Sequence, residues 1–214
     1  PVGGTANTVA GPFCGTGSGT ITATGYSTGF GFSYQWQYSS DNFVTDINDL
    51  AGQTNPATAA TGVITSTTYY RLRVTCSTGP VSAFSNIVSI TVTPAPAANI
   101  AYTGSPYCTV AGTATVTRTG TAGGSYSAIP AGLTLNAVTG DVTLGTSTPG
   151  TYTVTYTVPA SGGCPVYTTT TGITVSNCTD PCTAITTIAC TVPATATLTG
   201  SGIWSPGSCG FSTP

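Results

Sequence analysis

Alternating polar and apolar positions are the clearest pattern in this chain. Between residues 68 and 76, Tyr70, Leu72 and Val74 fall on one face, while threonines and arginines fall on the other. A period of two predicts half-buried β-strands, because successive side chains of a strand point to opposite faces. The same period predicts strands over residues 20–24, 33–38, 86–93, 113–119 and 151–158.

Short strands broken by glycine and serine turns predict an all-β protein, built as tandem immunoglobulin-like β-sandwiches with a truncated third β module. Residues 1–94 are the first predicted sandwich and residues 99–177 the second. The proline-rich linker at 95–98 favours an extended, semi-rigid connection, which predicts a fixed relation between the sandwiches. Residues 178–214 are too few for a sandwich, so we expect the start of a disulfide-rich third module.

Charged residues are almost absent. The 214 residues include 3 Lys+Arg, 5 Asp+Glu and no His, giving a net charge of −2. Catalysis usually needs a tunable acid, base or metal ligand, so this composition predicts no enzymatic activity and no cofactor. It also lacks the cationic clusters that nucleic acids require, and no apolar run reaches the roughly 18 residues of a membrane span.

The eight cysteines predict disulfides. The chain has no His and no C-x-x-C spacing, which argues against zinc and for an oxidising compartment. Sequence alone allows about 105 pairings of eight cysteines. If each sandwich closes its own bridge, the pairs are Cys14–Cys76 and Cys108–Cys164, with Cys190–Cys209 and then Cys178–Cys182 in the tail.

Two clusters are candidates for ligand contact. Asp41, Asp46, Asn48 and Asp49 supply oxygen ligands of the type that calcium prefers. Their spacing matches no EF-hand pattern, so an ordinary Asx-rich connection between strands is the simpler explanation. Tyr26, Phe30 and Phe32 lie in glycine-rich sequence and are candidates for exposed stacking contacts with a glycan. Asn177 begins the one N-glycosylation sequon, Asn-Cys-Thr.

Several phrases resemble a known class of repeat. They are Tyr-Gln-Trp-Gln-Tyr-Ser (34–39), Thr-Thr-Tyr-Tyr-Arg-Leu-Arg-Val-Thr-Cys (67–76), Ile-Ala-Tyr-Thr-Gly-Ser-Pro-Tyr-Cys (100–108), Pro-Ala-Gly-Leu-Thr-Leu-Asn (130–136), Thr-Pro-Gly-Thr-Tyr-Thr-Val-Thr-Tyr-Thr (148–157) and Gly-Gly-Cys-Pro (162–165). Together they resemble the immunoglobulin-like repeats of very large secreted surface proteins of Bacteroidetes, including gliding-motility adhesins. The resemblance implies export by the type IX route, display at the cell surface and no catalytic residues.

These observations predict a non-catalytic structural or adhesive segment of a large extracellular adhesin or filament. Its expected partners are neighbouring modules or copies of the same protein, with surface polysaccharide as a further candidate and without nucleic acid or membrane insertion. The alternative is a carbohydrate-binding accessory module of a secreted enzyme. The chain opens Pro-Val-Gly-Gly, so we expect a processed or partial form of a longer secreted precursor.

Overall fold

The computed structural model describes residues 1–79, 81–110 and 112–178. The first sandwich has one layer in the order β1-β3-β6 and a second in the order β5-β4-β7-β8, with β9 also paired to β7. The short β2 lies parallel to β10. These strands are β1 (Thr5–Thr8), β2 (Phe13–Cys14), β3 (Gly17–Thr24), β4 (Phe32–Ser39), β5 (Asn48–Asp49), β6 (Thr58–Ile64), β7 (Thr68–Cys76), β8 (Ser82–Phe84), β9 (Val88–Ile90) and β10 (Val92–Thr93).

The core of the first sandwich is centred on Trp36, which is fully buried. Ile21 from the facing layer and Leu72 from β7 are buried with it. The indole Nε1 of Trp36 donates a hydrogen bond to the Asn55 carbonyl oxygen at 3.0 Å, so its one polar atom is satisfied.

The second sandwich repeats this plan. One layer has the order β12-β18-β17-β15, with β12 parallel to β18, and the facing layer consists of the pairs β11-β14 and β13-β16. The elements are β11 (Ala98–Ala101), β12 (Tyr107–Cys108), β13 (Thr113–Ala114), β14 (Thr117–Gly120), β15 (Ser125–Ile129), β16 (Val142–Thr143), β17 (Gly150–Val158) and β18 (Tyr167–Ser176), with one 3-10 turn at Leu144–Thr146. Tyr152, Val154 and Tyr156 of β17 point into its core, as the alternation predicts.

In both sandwiches a short second strand runs parallel to the last strand, and the remaining strands form two antiparallel layers. This strand order confirms the prediction of tandem immunoglobulin-like β-sandwiches. The two hydrophobic clusters share no residue, one running from Ala6 to Val92 and the other from Ile100 to Val175. The bounds of each folding unit stay a prediction, and the third module, from residue 179 onwards, lies outside the described residues.

Two predicted strands are each divided in the structure. Residues 86–93 become β9, which pairs with β7, and β10, which pairs with β2, because the chain changes partner at Thr91. Residues 113–119 become β13 and β14, paired with β16 and β11. Within the described ranges, no helix has the length and apolar character needed to cross a membrane.

Candidate functional site

A disulfide joins the two sandwiches. Cys14 at the end of β2 is bonded to Cys164 in the β17–β18 hairpin, with 4.6 Å between their Cα atoms. A second disulfide joins Cys108 at the end of β12 to Cys178, just after β18, with a Cα separation of 5.3 Å. The predicted pairs Cys14–Cys76, Cys108–Cys164 and Cys178–Cys182 are therefore wrong. Cys182, Cys190 and Cys209 lie outside the described residues.

Strand order explains why Cys14 does not pair with Cys76. Cys14 is the β-partner of Thr93, so it lies at the end of the first sandwich where the chain leaves. Thr68, at the start of β7, pairs with Ile90 near this same end. Cys76 is eight residues further along β7, which places it about 26 Å away at roughly 3.3 Å per residue. A disulfide requires Cα atoms within about 7 Å.

The same geometry separates Cys108 from Cys164. Cys108 is the β-partner of Ser176, at the far end of β18. Cys164 lies just before Tyr167, where β18 begins. Nine residues of strand separate these ends, or about 30 Å. Cys164 therefore faces the first sandwich, whereas Cys108 lies at the exit of the second.

A repeated sequence phrase indicates where Cys14 and Cys108 lie, and the sequence analysis did not use it. Gly-Pro-Phe-Cys at 11–14 and Ser-Pro-Tyr-Cys at 105–108 occupy equivalent places in the two sandwiches. In both, the cysteine ends a two-residue strand that runs parallel to the last strand. This phrase therefore marks the exit end of a sandwich, where a bond to the following segment of chain is within reach.

Two glycines let the β17–β18 hairpin approach the first sandwich. Ser161 and Cys164 exchange backbone hydrogen bonds of 2.8 and 3.1 Å, which closes a tight turn around Gly162 and Gly163. Both glycines have positive φ, 56° and 85°. A Cβ on Gly163 would overlap the backbone carbonyl of Pro12, so this close contact requires glycine.

The linker is anchored on both sides of its prolines. The Gly15 amide donates to the Thr93 carbonyl oxygen at 2.8 Å. On the other side, the Thr121 amide donates to Ala97 O at 2.8 Å, and Tyr167 Oη donates to Ala98 O at 3.0 Å. The segment free of these anchors is therefore only residues 94–96. The sulfur of Cys164 lies 3.7 Å from the carbonyl oxygen of Pro94, so the disulfide also contacts the linker.

Cys76 has no disulfide partner within the described residues. Its sulfur lies 3.2 Å from the Thr78 hydroxyl, and this hydrogen bond is the main cause that lowers the pKa of the Cys76 thiol.

The three aspartates among the predicted calcium ligands interact with other groups of the protein. The Asp41 carboxylate accepts the amides of Val44 and Thr45 at 3.1 and 2.7 Å. Asp46 accepts the Ser40 amide and hydroxyl and the side-chain amide of Asn48.

Asp49 forms a salt bridge with Arg73 at 3.1 Å. In the described residues no three acidic, histidine or cysteine side chains gather in a geometry suited to a metal ion. Calcium binding therefore stays a prediction, and these contacts match the Asx-rich connection weighed against it.

The three predicted glycan-contact aromatics do not form one exposed row. Tyr26 packs edge-on against Tyr34 with ring centroids 5.6 Å apart, and Phe32 is partly buried against the first core. Only Phe30 is fully exposed. Asn177 is exposed and accepts a hydrogen bond from the Thr109 hydroxyl at 3.2 Å, so its glycosylation stays a prediction.

Comparison with known proteins adds one family match. Residues 2–94 match a family described as Domain of unknown function (DUF8696), which corresponds to the first sandwich. No curated protein sequence matches the chain.

Solved structures similar to this chain include the following three. A C-terminal 282-residue fragment of intimin, in complex with the intimin-binding domain of the translocated intimin receptor, is 14% identical over 79% of this chain and 63% of that chain, with a TM-score of 0.38. Sidekick-1 immunoglobulin domains 1 to 5 give 10% identity over 80% and 39%, with a TM-score of 0.43. A run of titin domains gives 10% over 83% and 66%, with a TM-score of 0.31. This chain spans less than two thirds of each, and the fold assignment rests on its own strand order.

Proposed function

We propose that this chain is a non-catalytic, load-bearing segment of a large extracellular surface protein, of the Bacteroidetes adhesin type that its phrases resemble. The observation that supports this proposal is the Cys14–Cys164 disulfide between the sandwiches. Disulfides persist in oxidising compartments, which favours a secreted location. Neighbouring modules or copies of the same protein are the proposed partners.

The position of this disulfide determines how the tandem responds to tension. A load applied through the ends of the chain passes from Cys14 directly to Cys164. The strands between these two residues include most of both sandwiches, and they are not stretched even if they unfold. A segment of this kind keeps its length under load, which is what a spacer in an adhesin or filament requires.

Single-molecule stretching of the full chain tests the proposal. The bridged cysteines are 150 residues apart, so at roughly 3.5 Å per residue the fully extended oxidised chain should be about 500 Å shorter than the reduced chain. The Cys14→Ser, Cys164→Ser double variant should give an intermediate length, because Cys108–Cys178 still closes its own loop. Equal lengths for oxidised and reduced chains would rule out a load path through the disulfide.

A further inference from the structure

Most of the few charged residues of this chain lie in one region, on the outer face of the β4–β7 layer and in the loop beside it. Of the eight charged residues, five lie on β5, on β7 or in the loop of residues 40–47 that joins β4 to β5. They are Asp41, Asp46, Asp49, Arg71 and Arg73.

Arg71 contacts two aromatic rings. Its guanidinium carbon is 4.1 Å from the ring centroid of Phe43 and 4.0 Å from that of Phe84. Both distances fall within the range of a cation–π contact. Rings that pack on the flat face of a guanidinium leave its edge, where the N–H groups point, as the side open to a ligand. We name Phe43, Arg71 and Phe84 the arginine slot.

The backbone that carries Phe43 is unusual. Asn42 and Phe43 are the two non-glycine residues with positive φ in the described part of the chain, at 60° and 62°. The ring of hydrogen bonds around Asp41 holds this conformation, since its carboxylate accepts the amides of Val44 and Thr45. Strained backbone that the surroundings hold in place is characteristic of functional sites. Here its effect is to place the Phe43 ring over Arg71.

A network of hydrogen bonds holds the Arg71 side chain in place without giving it an ion pair. Arg71 Nε donates to Gln37 Oε1 at 3.0 Å, and Gln37 Nε2 donates to Asp49 Oδ1 at 2.8 Å. A terminal amino group of Arg73 donates a hydrogen bond to the other carboxylate oxygen of Asp49, Oδ2, at 3.1 Å. Within the described residues, neither terminal amino group of Arg71 donates a hydrogen bond. Partial burial, and then the like charge of Arg73, lower the pKa of Arg71. Asp49 is paired with Arg73, so Arg71 has no acidic partner within the described residues.

We propose that the arginine slot binds the carboxylate of an acidic saccharide, with the two free amino groups of Arg71 donating to the two carboxylate oxygens. A guanidinium edge and a carboxylate match in planar, bidentate geometry. The same outer face also carries the hydroxyl groups of Tyr69, Thr75 and Ser82. Because Asp49 pairs with Arg73, Arg71 is the arginine of this face without an ion pair within the described residues. One unpaired cation beside hydroxyl groups suits a sugar ring that carries one carboxylate, whereas nucleic acids call for clustered cations.

This inference goes beyond the load-bearing role and does not depend on it, because the slot lies wholly within the first sandwich. The test is calorimetric titration of the full chain with tetragalacturonate at low salt. The matched ligand is the fully methyl-esterified tetrasaccharide, in which every carboxylate is masked. We expect saturable binding of the acid and about tenfold or greater loss with the ester.

Variants locate the site. Arg71→Gln should weaken tetragalacturonate binding about tenfold or more, because a charge-assisted hydrogen-bond pair is lost. Phe84→Ala, which removes one ring of the slot, should weaken it to a smaller degree. Arg118→Gln removes the same charge from the second sandwich and should leave binding unchanged. Near-UV circular dichroism checks that each variant is folded.

Three results would overturn the proposal. They are no saturable binding of tetragalacturonate, equal binding of its methyl ester, and tighter binding of tetraglutamate than of the saccharide. The last result would assign the slot to acidic peptides. Equal losses in Arg71→Gln and Arg118→Gln would show a general charge effect, which also contradicts a defined site.

Discussion

Asp41 shows how one residue can organise a loop in a protein with few charges. Its carboxylate accepts hydrogen bonds from the Thr45 side chain at 2.6 Å, from the Ser39 hydroxyl at 2.8 Å and from backbone amides of the loop. The Thr45 side chain is the largest cause that lowers the pKa of Asp41 far below its ordinary value of 3.8. Donors that favour the ionised form act in this direction because protonation would break their hydrogen bonds.

This shift predicts how the loop responds to acid. Because the folded pKa lies below the unfolded one, the stabilisation from Asp41 is complete above about pH 4 and is lost as the pH falls through the folded pKa. We expect the Thr45 amide resonance in NMR spectra to keep its shift down to pH 3. An isolated peptide of residues 39–46 should titrate near 3.8 instead. Asp41→Asn should loosen the loop wherever Asp41 is ionised in the parent chain, and it should remove the part of the acid transition that Asp41 contributes. A carboxyl of Asp41 that titrates near 3.8 in the folded chain would contradict this.

At the scale of single elements, the strands were predictable where burial is set locally. Buried and exposed residues alternate along β4, β7 and β17 because one face of each strand packs on a core. The same alternation is visible in the sequence as apolar and polar residues. The partner of Cys14 depends instead on which end of the sandwich β2 occupies, and that follows from its pairing with β10. No local pattern encodes such a pairing, so the cysteine pairs were predicted wrongly.

The candidate sites divide in the same way. The Asp-rich loop was recognised from its composition, but sequence could not show that its carboxylates are consumed by neighbouring amides. The alternation placed Arg71 on the outer face correctly. The ring of Phe43 contacts Arg71 although the two residues are 28 positions apart in the chain. This contact depends on the left-handed backbone at Phe43, which no sequence pattern predicted.

The β17–β18 hairpin provides a test of the junction at this scale. Gly163→Ala should hinder formation of Cys14–Cys164, since alanine at φ +85° costs on the order of 1–2 kcal/mol and its Cβ would also overlap Pro12. The expected result is a lower yield of the cross-linked peptide in non-reducing mass spectrometry after oxidative refolding.

Gly172→Ala on β18 is the matched control. A Cβ at Gly172 meets no atom within 4 Å and its φ is not positive, so this variant should form the bond like the parent chain. Equal yields from the two variants would show that the close contact at Gly163 does not guide the bond.

At the scale of the whole molecule, two devices hold the sandwiches together, and they are separable. One is the linker, which is anchored at Thr93 and Ala97 and leaves only residues 94–96 between its anchors. The other is the disulfide, which ties the hairpin of the second sandwich to β2 of the first. Prolines alone were expected to fix the pair, whereas the covalent bond adds a second point of attachment. Two attachment points restrict rotation about the linker, which a single short connection leaves open.

We therefore expect the Cys14→Ser, Cys164→Ser double variant to keep both sandwiches folded while their relative orientation varies more widely. Each sandwich retains its own core, because neither cysteine lies at the centre of a hydrophobic cluster. Small-angle scattering should show a larger radius of gyration and a broader distance distribution than in the parent chain, with an unchanged far-ultraviolet circular dichroism spectrum. Cys108→Ser, Cys178→Ser is the control, since it removes a bond that joins two parts of the chain at the exit of the second sandwich. If the first variant scattered like its parent, the prolines and their flanking hydrogen bonds would be sufficient, and the disulfide would serve the load path alone.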